Sequence, residues 1–96
     1  MSSEEYRAYV LIKIQPGKEK EFADYVMSGG LPRDKNVERM DFVLGSFDVV
    51  VLLRGPMKSI DAQVLELRKS PLIRTTETLL CFEMFSLEDI SGRLNE

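Results

Sequence analysis

Leu44-Gly45-Ser46-Phe47-Asp48-Val49-Val50-Val51-Leu52-Leu53 decides how this chain folds. Gly45 permits a positive φ, and Asp48 can accept from the N–H groups of a tight turn, so the first half of the stretch reverses the chain. The second half is an unbroken apolar run of β-branched residues and leucine, which predicts a strand with both faces apolar. Upstream, Val37 to Leu44 carries Glu38, Arg39 and Asp41 in uneven alternation, as an edge strand can. The two segments, joined by Gly45-Ser46-Phe47-Asp48, read as a hairpin.

Working outward, Tyr6 to Ile14 is β-branched and aromatic and ends at Gln15-Pro16-Gly17, which predicts a first strand. Pro16 suits the first turn of a helix. Glu19 and Glu21 favour its N-terminal end, Phe22 and Val26 share a face and Gly29-Gly30 stop it, giving roughly three to four turns. Ser28 to Asn36 is a polar loop bearing glycine and proline. On the other side, Gly55-Pro56 closes the apolar strand. Ser59 is the candidate N-cap of a second helix, with Asp61 in its first turn and Ile60, Val64 and Leu67 at helical spacing up to Ser70-Pro71. Ile73 to Phe85 predicts a last strand. Ser86-Leu87-Glu88-Asp89 resembles a capping box, so residues 86–96 form a tail that is at most a short, marginal helix carrying Leu87, Ile90 and Leu94.

The order β-α-β-β-α-β predicts an α+β, ferredoxin-like domain over residues 6–85. With right-handed crossovers, it has an antiparallel sheet in the order 4-1-3-2 and both helices on one face. At 96 residues the chain has room for one such domain, which buries only about 60–65% of its unfolded surface and gains from oligomerisation.

Composition removes several functions. With no histidine there is no imidazole base, no Ser-His or Cys-His pair and no imidazole metal ligand. The single cysteine, Cys81, allows neither an intrachain disulfide nor a thiolate cluster and reads as a small core residue. No cofactor is expected and no metal site. Short apolar runs and a polar, acidic start predict neither a membrane span nor a signal peptide, so a cytoplasmic location is the expectation. Lys+Arg 13 against Asp+Glu 16 gives a net charge of −3 with no basic stripe, an unsuitable surface for nucleic acid.

The strand faces bear on function. In the first strand Ala8, Val10, Ile12 and Ile14 share one face, and Tyr9 and Leu11 lie on the other between Arg7 and Lys13. In the third strand Val50 and Leu52 face one way and Val49, Val51 and Leu53 the other. Two helices cover only one face of a sheet, yet both faces are apolar here. Leaving four or five such side chains in water forgoes about 1.5–3 kcal/mol each as an upper estimate. The simplest cover is a second copy packed sheet to sheet, and Tyr9, Leu11, Val49, Val51 and Leu53 are the expected interface. The competing cover is the tail, through Leu87, Ile90 and Leu94.

Two motifs stand out as candidate sites. Successive N–H groups around Gly45 and Ser46 can cup a carboxylate, and Asp48 can accept from an ammonium or simply brace the turn. Thr75-Thr76-Glu77-Thr78 places Thr76 and Thr78 on one face as a row of hydroxyls, though threonine is also an ordinary strand former. No spacing marks a catalytic carboxylate pair, and no phosphate-binding glycine loop occurs.

Ala8-Tyr9-Val10-Leu11-Ile12, Pro16-Gly17, the run from Leu44 to Val51 and Ser70-Pro71-Leu72-Ile73-Arg74-Thr75-Thr76-Glu77-Thr78 together resemble the effector-binding domain of the Lrp/AsnC regulators. This is the RAM domain, for regulation of amino-acid metabolism. The likeness covers roughly Tyr6 to Phe85 and rests most on the Gly-x-aromatic-Asp turn and the later Thr-x-Thr strand. It implies subunits that dimerise through the sheet, dimers that assemble into rings, often octamers, and a free amino acid bound between dimers. Carried over, Gly45, Ser46, Phe47 and Asp48 with Thr76 and Thr78 would line that site. Backbone near Gly45 and Ser46 would meet the α-carboxylate, and Asp48 would orient the loop or meet the ammonium. The resemblance does not reach the helix-turn-helix domain of those regulators. Residues 28–36 and 86–96 also depart from it. The expectation is therefore a stand-alone oligomeric amino-acid-binding module that regulates transcription or amino-acid metabolism without binding DNA itself, with full-length regulators as candidate partners. Dimeric ferredoxin-like enzymes and a ligand-free assembly partner are the alternatives, and an ACT-type domain shares the same strand order.

Overall fold

The computed structural model describes residues 5–29 and 36–82. The elements run β1 (Tyr6–Ile14), α1 (Glu19–Met27), β2 (Val37–Phe42), β3 (Val49–Gly55), α2 (Met57–Arg68) and β4 (Ile73–Cys81). They form one sheet in the order β2-β3-β1-β4 with every neighbouring pair antiparallel. This is the ferredoxin-like arrangement and strand order expected from the sequence.

Boundaries differ where local hydrogen bonding overrides composition. Pro16 lies outside α1. Gly17 has a φ of +82° and the Lys18 N–H donates to the Gln15 carbonyl at 2.9 Å, so a turn precedes the helix and leaves it nine residues long. Its stop is as expected, with Gly29 at a φ of +84°. Ser59 is not a cap either: Pro56 holds the N-cap position with a ψ of 151°, and the N–H groups of Ser59 and Ile60 donate to its carbonyl. Proline has no N–H to lose there, so the helix starts three residues earlier than expected, without a side-chain cap. β2 ends at Phe42 and β4 at Cys81. The expected continuation of the last strand from residue 83 and the tail over residues 86–96 lie outside the described residues.

The core is a single layer between sheet and helices. Ala8, Val10, Ile12 and Ile14 of β1 meet Val49, Val51 and Leu53 of β3, Phe22 of α1 and Ile60 and Leu67 of α2, all buried. Phe22 packs edge-on against Phe42 of β2, with ring centroids 6.4 Å apart, fixing α1 above the β2 side of the sheet.

The register corrects the expected interface. Ala8 pairs with Leu53, Val10 with Val51 and Ile12 with Val49, and directly opposed residues share a face. Val49, Val51 and Leu53 therefore belong to the helix-covered face, at 0%, 1% and 0% exposure, and are core residues rather than a docking surface. Tyr9 pairs with Leu52 and Leu11 with Val50, so Val50 and Leu52 take their place on the open face.

Candidate functional site

The turn from β2 to β3 lies at the end of the sheet where β1 finishes. The Val43 N–H donates to the Asp48 carbonyl at 3.0 Å, and the Asp48 N–H donates to the Ile12 carbonyl at 2.9 Å, which ties the turn to β1. Beyond this point the β1–β3 ladder has no further residue to offer. Asp48 extends it with its side chain: Oδ2 accepts from the Ile14 N–H at 2.8 Å. Of the two roles expected for Asp48, bracing the loop is visible in this geometry, through Oδ2. Gly45 has a φ of +150°, a backbone that residues with a Cβ rarely adopt, and no atom lies within 4 Å of where a Cβ would stand. Gly45 and Ser46 are exposed, Phe47 and Asp48 half-buried. The turn thus offers open backbone around Gly45 on a firmly held base.

Thr76 lies opposite Ile12 and Thr78 opposite Val10, on the helix side of edge strand β4. Thr76 is half-buried and Thr78 exposed. Thr75 and Glu77, opposite Lys13 and Leu11, point to the open face. Val49, Ile12 and Thr76 form one row across the sheet, so the turn and Thr76 share an end of the molecule. β1 stands between them, two strand spacings or about 10 Å. Within one chain the two motifs are neighbours and do not close on a common point.

The open face is the larger surface feature. It carries Tyr9 and Leu11 of β1, Val50 and Leu52 of β3 and Leu79 of β4, with Tyr9 44% and Leu79 46% exposed. On β2, Arg39 lies opposite Leu52 and Asp41 opposite Val50, so both project from the same face. Their side chains form an ion pair, Nε to Oδ2 at 2.7 Å. That hydrogen bond and the nearby carboxylate raise the Arg39 guanidinium further above its ordinary pKa. Tyr9, Arg39, Asp41, Val50 and Leu52 line a groove of about 300 Å³. Sequence reasoning missed Val50, Leu52 and Leu79 as members of this face because register is invisible in strands that are apolar on both sides. The spacing of Arg39 and Asp41 did carry the signal that they share a face.

Cys81 sits opposite Arg7 at the end of β4 and is half-buried rather than in the core. Its Sγ donates weakly to the Leu79 carbonyl at 3.7 Å. Among the described residues there is no group of metal-ligating side chains, and no helix is long and apolar enough to cross a membrane.

No protein-family model and no curated protein matches this sequence. Solved structures do. A feast/famine regulatory protein (FFRP) superposes with a TM-score of 0.65 at 25% identity, covering 80% of this chain and 99% of that one. A transcriptional regulator of Neisseria meningitidis, solved as its L-Met complex, gives 0.69 at 13% identity, over 84% of this chain and 52% of that one. The fold is that of Lrp/AsnC-type regulators. An AsnC family transcriptional regulator of Agrobacterium tumefaciens gives the same TM-score of 0.69 at 13% identity, over 85% and 53%. This chain therefore spans about half the length of the two transcriptional regulators and nearly all of the FFRP.

Proposed function

We propose that this chain is a non-enzymatic, oligomeric effector-binding module of the Lrp/AsnC type. It dimerises through its open sheet face, its dimers associate further, and it binds a free amino acid in the crevice that the association creates. The observation that carries this reading is the apolar face of the two central strands turned away from the helices, with Tyr9 exposed on it, in a fold shared with regulators of which one was solved with L-Met. A subunit with that face in water is incomplete, and a second copy supplies the cover.

The ligand is placed at the turn and the start of β4. Open backbone at Gly45 and Ser46 suits a carboxylate, Thr76 and Thr78 suit polar groups, and Asp48 positions the turn through Ile14. Because the two motifs of one chain stand apart, the site is completed by a neighbouring subunit. A few charge-assisted hydrogen bonds of about 1.5–3 kcal/mol each, less the cost of ordering, give an affinity in the micromolar to millimolar range. A role without catalysis is supported by the helix-facing side of the sheet, which is packed with aliphatic side chains where related enzyme folds need a pocket. With no basic stripe on the chain, regulation is proposed to act through assembly, including mixed assembly with DNA-binding regulators.

Light-scattering mass with and without an equimolar mixture of the common amino acids tests the reading. The expected result is a dimer or larger species whose size distribution or thermal midpoint shifts with the mixture. A folded protein that shows no shift with any amino acid overturns the effector role.

A further inference from the structure

The register builds two adjacent rows across the open face: Arg39, Leu52, Tyr9 and Leu79 in one, and Asp41, Val50, Leu11 and Glu77 in the other. Two sheets packed face to face about a two-fold axis can place that axis along the strands or across them. Along the strands, β2 lies over the partner's β4 and Asp41 meets the partner's Glu77, two like charges facing each other at the rim of the interface. Across the strands, between the rows, the axis exchanges one row for the other. Arg39 then meets the partner's Asp41, Leu52 the partner's Val50 and Tyr9 the partner's Leu11.

Resting on the dimer reading above, we infer that the second copy docks on the axis across the strands, with the Arg39 and Asp41 side chains of the two subunits forming one reciprocal four-charge cluster beside an apolar centre. The side chains have the capacity for it. Within a subunit the pair uses only the Arg39 Nε and one Asp41 oxygen, and the side chains are 71% and 45% exposed. Among the described residues neither makes another hydrogen bond, so the terminal guanidinium nitrogens remain available to the partner's carboxylate. The groove of about 300 Å³ beside them, lined by Val50 and Leu52 between Tyr9 and the ion pair, receives apolar side chains of the second copy. The offset of about 30° usual between aligned sheets moves an edge strand only a few ångströms, within the reach of an arginine. Leu79 meets the partner's Glu77 at the outer edge, where the carboxylate reaches water.

The test uses charge reversals, one at each position. Arg39→Glu and Asp41→Arg are made separately, and molar mass is measured by sedimentation for the natural chain, for each variant and for their equimolar mixture. Arg39 is exposed and Asp41 half-buried with its side chain 45% exposed, so far-ultraviolet circular dichroism is expected to stay unchanged. Each variant alone is expected to self-associate on the order of tenfold more weakly or worse, because like charges then face each other. The mixture is expected to restore a dimer with one subunit of each kind, although neither subunit retains an internal ion pair. The neutral double variant Arg39→Gln with Asp41→Asn weakens the dimer less than either reversal. A variant that dimerises alone as well as the natural chain, or a mixture no stronger than its components, overturns this docking geometry and leaves the dimer standing. A natural chain that stays monomeric at high concentration overturns the dimer itself.

Discussion

The Asp48 carboxylate accepts a hydrogen bond from the backbone N–H of Ile14 at 2.8 Å, thirty-four residues away in sequence, and so closes the end of a ladder that backbone groups leave unfinished. The same residue's N–H and carbonyl are bound to Ile12 and Val43. Asp48→Ala strands the half-buried Ile14 N–H and is expected to cost about 1–3 kcal/mol in urea denaturation. Asp48→Asn keeps an acceptor but loses the charge, and is expected to cost less. Equal costs for the two variants would mean that Asp48 acts through something other than this bond.

Asn36 and Gly55 hold the opposite end of the hairpin. The Arg54 N–H donates to the Asn36 carbonyl at 2.8 Å, and a Cβ on Gly55 would stand 2.8 Å from Asn36 Oδ1, with φ at +150°. Gly55→Ala therefore combines backbone strain with a clash against a buried side chain and is expected to destabilise by about 1–3 kcal/mol. Adding Asn36→Ala removes the clash and leaves the strain. The double variant should recover roughly 0.5–1 kcal/mol relative to additivity, measured as a thermodynamic cycle.

The order and type of all six elements were legible in the sequence, because turn residues at Gln15-Pro16-Gly17, Gly45 to Asp48 and Ser70-Pro71 punctuate strongly apolar segments. The helix starts were not. Pro16 is compatible with a helix, and it is the positive φ of Gly17 together with the Lys18-to-Gln15 bond, a pairing between neighbours in a turn, that excludes it. The assignment of faces in β3 was illegible for a different reason. Alternation fixes which residues share a face but not which face the helices choose, and Val49 to Leu53 is apolar on both. The turn and the threonine strand stand out as candidates from turn chemistry and strand alternation, and the resemblance joins them. Their separation by β1 is a property of strand order combined with register, which no local pattern reports.

Adjacent residues of β3 should consequently behave as opposites. Leu53 is fully buried against β1, so Leu53→Ala is expected to cost about 2–5 kcal/mol of stability. Leu52 faces outward beside Tyr9. Leu52→Ala should change the stability of the isolated subunit by less than about 1 kcal/mol while weakening self-association, seen as a shift of the sedimentation isotherm to higher concentration. A variant pair with similar unfolding midpoints would contradict the register.

The two threonines separate binding from folding. Valine matches threonine in shape and suits a strand, so Thr78→Val, at an exposed position, should leave the unfolding midpoint nearly unchanged. If the hydroxyl meets the polar groups of a bound amino acid, its loss removes one hydrogen bond, about 0.5–1.5 kcal/mol, or a two- to tenfold weaker response in calorimetry. Thr76→Val tests the half-buried neighbour in the row that includes Val49 and Ile12, and its effect on ligand response should be at least as large. Gly45→Ala completes the series: there is room for the methyl group, so its cost is confined to backbone strain at the turn. A weaker amino-acid response in all three variants, with assembly retained, would locate the ligand between this turn and β4. An unaltered response in all three would move the binding site elsewhere on the assembly.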